Sequence, residues 1–135
     1  MFASMTSLHA AALYCGLLIL IMLGLKMYVG AQRGRLKVEP GDVGNIEFGR
    51  ATRVQLNAVE DVPPLMVGIL TLALLGLPAY IIHITGGLLT VSRILHAVGL
   101  AGSGRFSIGR ALGTLGTLLT YLGVAGGLIV HAFFN

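Results

Sequence analysis

From Met1 to Leu25 the chain carries no Asp, Glu, Lys or Arg, and this one stretch decides the fold class. Its apolar run is long enough to cross a lipid hydrocarbon core as an α-helix. A secretory signal would need a basic start and a shorter apolar core, and neither is present. The run therefore reads as a retained first transmembrane helix ending near Lys26-Met-Tyr-Val29. A second apolar helix starts near Asn45, a natural N-cap with Glu47 in the first turn. It ends near Gly76, where Leu77-Pro78 leaves room only for a tight helical hairpin. A third runs to Leu100 and a fourth to Phe134. Only 10% of the residues are charged and 56% are hydrophobic, whereas a soluble domain carries about 25% charge. The expected fold is an all-α integral membrane protein, a four-transmembrane-helix bundle. It forms one domain over residues 1–135, with helices at about 4–29, 45–76, 79–100 and 108–134.

All nine Lys and Arg residues lie at or between helices one and two, or three and four. The positive-inside rule then puts both polar loops in the cytoplasm and both termini outside. The net charge of +4 could suggest nucleic acid, but the basic residues are not interleaved with aromatics, so no nucleic-acid partner is expected. Cys15, the only cysteine, can form neither an intrachain disulfide nor a multi-cysteine metal site, and reads as a small core residue. His9, His83 and His131 fall toward the outer face and read as interfacial histidines without chemistry.

The most informative stretch is Arg50 to Pro64. At about 100° per residue, with Arg50 at zero, Arg53 falls near 300°, Asn57 near 340°, Glu60 near 280° and Asp61 near 20°. Every charge in the segment, plus an amide, thus shares one stripe, while Ala51, Gln55, Ala58 and Val59 take the other side. Such a stripe at a membrane boundary could hold a small zwitterion, or its charges could pair within the helix and with neighbours; spacing alone leaves both open. Pro63-Pro64 interrupts the helix one turn later, and a bend there would aim the stripe at a cavity. On helix three Arg93 and His96 lie three apart on one face. On helix four Gly109, Gly113, Gly116, Thr120, Gly123 and Gly127 form a seam of small residues that permits close approach of another helix, in the same chain or a neighbouring one.

These pieces, in order, resemble the MAPEG family (membrane-associated proteins in eicosanoid and glutathione metabolism). Arg53-x-x-x-Asn57-x-x-Glu60-x-x-Pro63 is similar to the family's helix-two signature. Leu25-Lys-Met-Tyr-Val29 with Gln32-Arg-Gly-Arg35-Leu-Lys37, and Arg93-x-x-His96, resemble the prostaglandin E synthase branch. Arg110 falls where the family has an arginine opening helix four. The resemblance implies a homotrimer that binds glutathione as co-substrate between subunits at the cytoplasmic side. It implies that Arg53, Asn57 and Glu60 hold the peptide's charged ends and amides, with Arg50, Arg93 and His96 beside them and Arg35 reaching in from a neighbouring subunit. Arg110 would stand near the thiol as the catalytic group, with Arg105 as its rival because the loop length leaves the alignment open. Leu100 and Thr114 stand where the prostaglandin branch has tyrosines, and the chain looks more like bacterial inner-membrane relatives.

The function implied is a glutathione-dependent transferase or peroxidase acting on lipophilic electrophiles that enter from membrane lipid. The nucleophile is the thiolate, which a nearby arginine favours. The alternative is a non-catalytic scaffold or lipid- or glutathione-binding protein of the same fold. A transporter lacks support, since the sequence suggests no inverted repeat and no ionisable residue midway along a helix.

Overall fold

The computed structural model describes residues 6–42, 44–102 and 107–134. They form four helices, α1 (Ser7–Leu36), α2 (Ile46–Leu74), α3 (Ala79–Gly102) and α4 (Ile108–Phe134). Each is long and apolar enough to span a membrane. The chain is an all-α, multi-pass membrane protein. α2 and α3 pack on each other and on both remaining helices, whereas α1 and α4 make no contact with one another among the described residues. The central α2–α3 hairpin is thus flanked by α1 and α4.

Polarity ended the apolar signal of α1 at Val29, but not the helix, which continues to Leu36. Gln32, Arg33, Arg35 and Leu36 are all good helix formers. Arg33 lays its guanidinium 4.8 Å from the Phe48 ring centroid. Val29, Val38 and Phe48 close a small second core there, with Tyr28 and Leu36 packed on it. The helix stops at Lys37, whose left-handed backbone (φ 52°) lets its N–H and that of Val38 return to the Arg33 turn.

Asn45 caps α2 by accepting from Phe48 N–H at 2.9 Å. α2 then runs unbroken through Pro63 and Pro64. The two prolines remove the N–H groups that would have reached the carbonyls of Val59 and Glu60. Gly76, at φ 81°, closes the helix: Leu77 N–H reaches the Leu72 carbonyl at 3.2 Å and Gly76 N–H that of Ala73 at 3.1 Å. Ser7 Oγ donates to the Leu77 carbonyl, fastening the start of α1 to this turn.

The main core gathers Leu18 of α1, Ala58, Val62, Leu65, Ile69 and Leu72 of α2, Ile82 and Leu89 of α3, and Val124 of α4. Cys15 is half-buried rather than a core residue; its neighbour Tyr14 takes the interior place. The Tyr14 ring lies against Gly86, where no Cβ would fit, and its hydroxyl meets His83 Nδ1 at 3.0 Å. His83 is therefore an α1–α3 tie, not a histidine idle at the interface.

The small-residue seam of α4 faces its own chain along most of its length. A Cβ on Gly113 would sit 2.5 Å from both the His96 nitrogen and the Ser92 carbonyl oxygen, and one on Gly116 would strike Ser92 Oγ. Gly127 abuts Leu72 of α2 at 3.3 Å, while Gly123 has open space around it. Gly113→Ala should therefore lower stability by about 1–3 kcal/mol, since the obstructing atoms are backbone and cannot turn aside. Gly123→Ala should be tolerated. Thermal unfolding of the two variants in one detergent reads the difference.

Candidate functional site

The buried face of α2 carries Ala51, Val54, Ala58, Val62 and Leu65, centred about 80° round the helix from Arg50. The polar stripe lies to one side of that face and splits along its width. Glu60 and Arg53, farthest round, are exposed; Arg50 and Asn57 are half-buried; Asp61, at the inner edge, turns into the bundle. Asn57 Nδ2 donates to the Arg53 carbonyl at 2.9 Å. Salt bridges among the described residues join Arg35 to Glu47 and Arg93 to Asp61. None pairs Arg50, Arg53 or Glu60. The stripe is not a set of mutual ion pairs within one chain.

Its inner edge opens a polar seam across three helices. Arg93 of α3 is 2% exposed, and its Nη1 donates to Asp61 Oδ2 at 2.9 Å and to Thr117 Oγ1 of α4 at 3.5 Å. Its Nη2 lies 3.3 Å from Nδ1 of His96, which is itself buried. Its Nε has no partner among the described residues. Tyr121 of α4 donates its hydroxyl to Asp61 Oδ1 at 3.2 Å. Asp61 thus accepts from α3 on one oxygen and from α4 on the other. This corrects the expectation that no ionisable residue lies midway along a helix: Asp61 and Arg93 do, and their pairing makes burial tolerable.

Arg110 stands in the first turn of α4, half-buried and in no salt bridge among the described residues. Its backbone N–H takes the Ser107 hydroxyl as acceptor at 3.3 Å. Gly99 lets the two helix ends meet, since a Cβ there would strike the Arg110 nitrogen. Gly113, three residues after Arg110, packs on His96, which meets Arg93 and through it Asp61, so the Arg110 end and the Asp61 end adjoin along the α3–α4 interface. Thr114 donates to the Arg110 carbonyl at 2.9 Å and Leu100 is buried. Arg105 lies outside the described residues.

Arg35 is engaged within its own chain. It donates to Gln32 Oε1 at 3.0 and 2.7 Å and pairs with Glu47, tying the end of α1 to the start of α2. The structure brings Arg93, His96 and Arg110 near one another, places Arg50, Arg53, Asn57 and Glu60 along the adjoining outward edge, and sets Arg35 at the α1–α2 junction. Sequence reasoning passed over Asp61 as a site residue and missed Thr117 and Tyr121 altogether. Their signal was available: Thr117 and Tyr121 are polar residues one turn apart in the apolar middle of the helix. Chemically, the arrangement is a fixed internal network flanked by unpaired charges of both signs.

A sequence profile described as the MAPEG family matches residues 11–130. Two relatives, each named inner membrane protein YecN, come from Escherichia coli strain K12 and from Escherichia coli O6:H1 strain CFT073. Each is 33% identical over 89 residues, covering 66% of this chain and 68% of the relative. No solved structure matches.

The buried pair makes its own prediction. Arg93→Met leaves Asp61 without its cation and should destabilise the bundle by about 3–5 kcal/mol. Asp61→Leu combined with Arg93→Met should recover a large part of that loss. Denaturation midpoints of the single and double variants check it.

Proposed function

The chain belongs to the MAPEG family, and on that premise we propose that it is a glutathione-dependent transferase or peroxidase of the bacterial inner membrane, acting on lipophilic electrophiles. The observation that carries this reading is the pair of exposed, unpaired charges Arg53 and Glu60 on the outward edge of a membrane-spanning helix. A lone charge facing lipid costs up to about 2.5–3.5 kcal/mol at the bilayer centre and less toward the boundary where Arg53 stands. A second copy covering this edge, with a zwitterionic peptide between the copies, removes that cost, and a homotrimer supplies such a cover. On this reading Arg50, Arg53, Asn57 and Glu60 hold the charged ends and amides of glutathione at the cytoplasmic side, and Arg35 of a neighbouring copy closes over it. His96 lies beside the peptide, and Arg93 acts through His96.

Arg110 cannot serve as a base, because a guanidinium does not give up its proton near neutral pH. Its part is electrostatic: with the positive end of α4 it favours the thiolate over the thiol. The thiolate donates an electron pair to an electrophilic carbon, a carbon–sulfur bond forms, and a leaving group departs with its own pair. With a hydroperoxide, sulfur attacks oxygen instead, the oxygen–oxygen bond breaks and the alkoxide leaves to take up a proton; a second glutathione thiol then converts the sulfenic acid to the disulfide and water.

One observation favours a second reading, a non-catalytic scaffold. Leu100 and Thr114 leave no aromatic hydroxyl at the start of α4, and the Thr114 hydroxyl is held by its own helix. Turnover of a chlorodinitrobenzene by the purified protein with glutathione separates the two readings; binding without turnover supports the scaffold.

Arg53→Ala should lower glutathione affinity by about 2–5 kcal/mol while the protein stays folded, as read by calorimetric titration. Arg110→Ala should still bind glutathione but lose turnover. Thiolate absorbance should show the bound thiol ionising at higher pH in that variant, because removing the cation removes what favoured the anion. If Arg105→Ala behaves this way and Arg110→Ala does not, the activating arginine is Arg105.

A further inference from the structure

We propose that Asp61, Arg93 and Tyr121 are positioning residues for His96. They fix its neutral ring with Nδ1 as acceptor and Nε2–H as donor, offered to an acceptor atom of the thiol peptide. The first half stands on geometry alone; the second rests on the glutathione reading above.

A guanidinium carries five N–H donors and no acceptor. Where Arg93 Nη2 meets His96 Nδ1 at 3.3 Å, the ring nitrogen must supply the lone pair. A neutral imidazole that accepts at Nδ1 carries its proton on Nε2. Nothing in His96 itself dictates this choice, so whatever aims Arg93 sets the tautomer.

Arg93 is aimed from two helices. Asp61 Oδ2 holds Nη1 from α2 at 2.9 Å, and Thr117 Oγ1 approaches the same nitrogen from α4 at 3.5 Å. Asp61 is held in turn, since Tyr121 occupies its other oxygen at 3.2 Å. The chain of contacts therefore runs Tyr121, Asp61, Arg93, His96, and His96 packs on Gly113, three residues into α4 from Arg110. His96 has little freedom to evade it. Its backbone and Cβ press on Gly113, where no Cβ could be accommodated, and the residue is 6% exposed. Arg93 can itself offer a ligand little surface, being 2% exposed. Its influence on a ligand passes through the imidazole.

The test uses the full chain in lipid nanodiscs, labelled with nitrogen-15 at histidine, with His96 assigned by the signals that vanish in His96→Gln. Wild type should show Nδ1 unprotonated and Nε2 protonated. Asp61→Asn, which keeps shape but loses charge, should release Arg93 and give a mixture of tautomers. Tyr121→Phe, which keeps the carboxylate, should move the spectrum the same way by less. Titration with glutathione provides the second arm. The amide nitrogen of Gln reaches the place of Nε2, whereas that of Asn reaches only Nδ1. Losing one hydrogen bond to a charged or carbonyl acceptor weakens binding by about tenfold, so His96→Ala and His96→Asn should show that loss and His96→Gln should recover most of it. A protonated Nδ1 in wild type overturns the proposal, as does an Asp61→Asn spectrum identical to wild type. Equal binding by His96→Asn and His96→Gln overturns the donor role. If wild type binds no glutathione, the functional reading falls, and the spectra still decide the positioning.

Discussion

The bundle depends on one carboxylate. Asp61 sits where the buried and outward faces of α2 meet, and its two oxygens accept from Arg93 on α3 and Tyr121 on α4. Replacing either contact with lipid or with an apolar neighbour would leave a charge uncompensated in a low-dielectric interior. Helices in a membrane gain little from hydrophobic association, because lipid is as apolar as leucine. Directed polar contacts and close packing must then set which faces meet. Asp61 supplies the first, and the glycines of α4 supply the second: Gly113 and Gly116 let α4 approach Ser92 and His96 so closely that no side chain could stand between. The polar network meets the glycine seam at the α3–α4 interface, where Arg93 reaches Thr117.

The four helices were legible from apolar run length alone, because the bilayer fixes the length a span must have. The cap at Asn45 and the stop at Gly76 were legible from local chemistry. The end of α1 was not, since Gln32, Arg33 and Arg35 lose hydropathy while keeping helix propensity. The fate of the glycine seam was also beyond the sequence: its spacing reports that something packs closely, and the same pattern serves a neighbour in the chain or in another copy. In the site, the α2 signature stood out because its charges cluster on one arc. The division of that arc did not, because it depends on where α3 and α4 sit. Arg93 illustrates the point: spacing placed it beside His96, but only tertiary structure shows its guanidinium turned onto Asp61.

That division gives the stripe two tasks. Its inner member, Asp61, organises the chain, and its outer members, Arg53 and Glu60, are left with unmatched charge facing away from the core. Charges that stabilised the single chain would have been expected to find partners within it, as Arg35 finds Glu47 at the polar end of the bundle. Arg53 and Glu60 lie seven positions apart on the same edge, and between them α2 presents Asn57. The two prolines that follow free the carbonyls of Val59 and Glu60 at the same level. Opposite charges and an amide on one edge match the groups of a short peptide better than they match lipid tails.

The hydroxyls around the site argue for how such a peptide would be activated. Thr52, Thr114, Thr117 and Thr120 each donate to a carbonyl of their own helix, and Tyr121 donates to Asp61. Donating a proton to a thiolate would oblige any of them to break a bond already made within the bundle. On the proposed reading, Ser107, whose Oγ accepts from the Arg110 N–H, is the hydroxyl left beside the site, and fixed positive charge carries the activation. Arg93 is paired with Asp61 and enclosed, whereas Arg110, half-buried at the positive end of α4, has no carboxylate partner among the described residues. On the proposed reading, the same contacts that hold the interior leave the chemistry at its mouth chiefly to electrostatics.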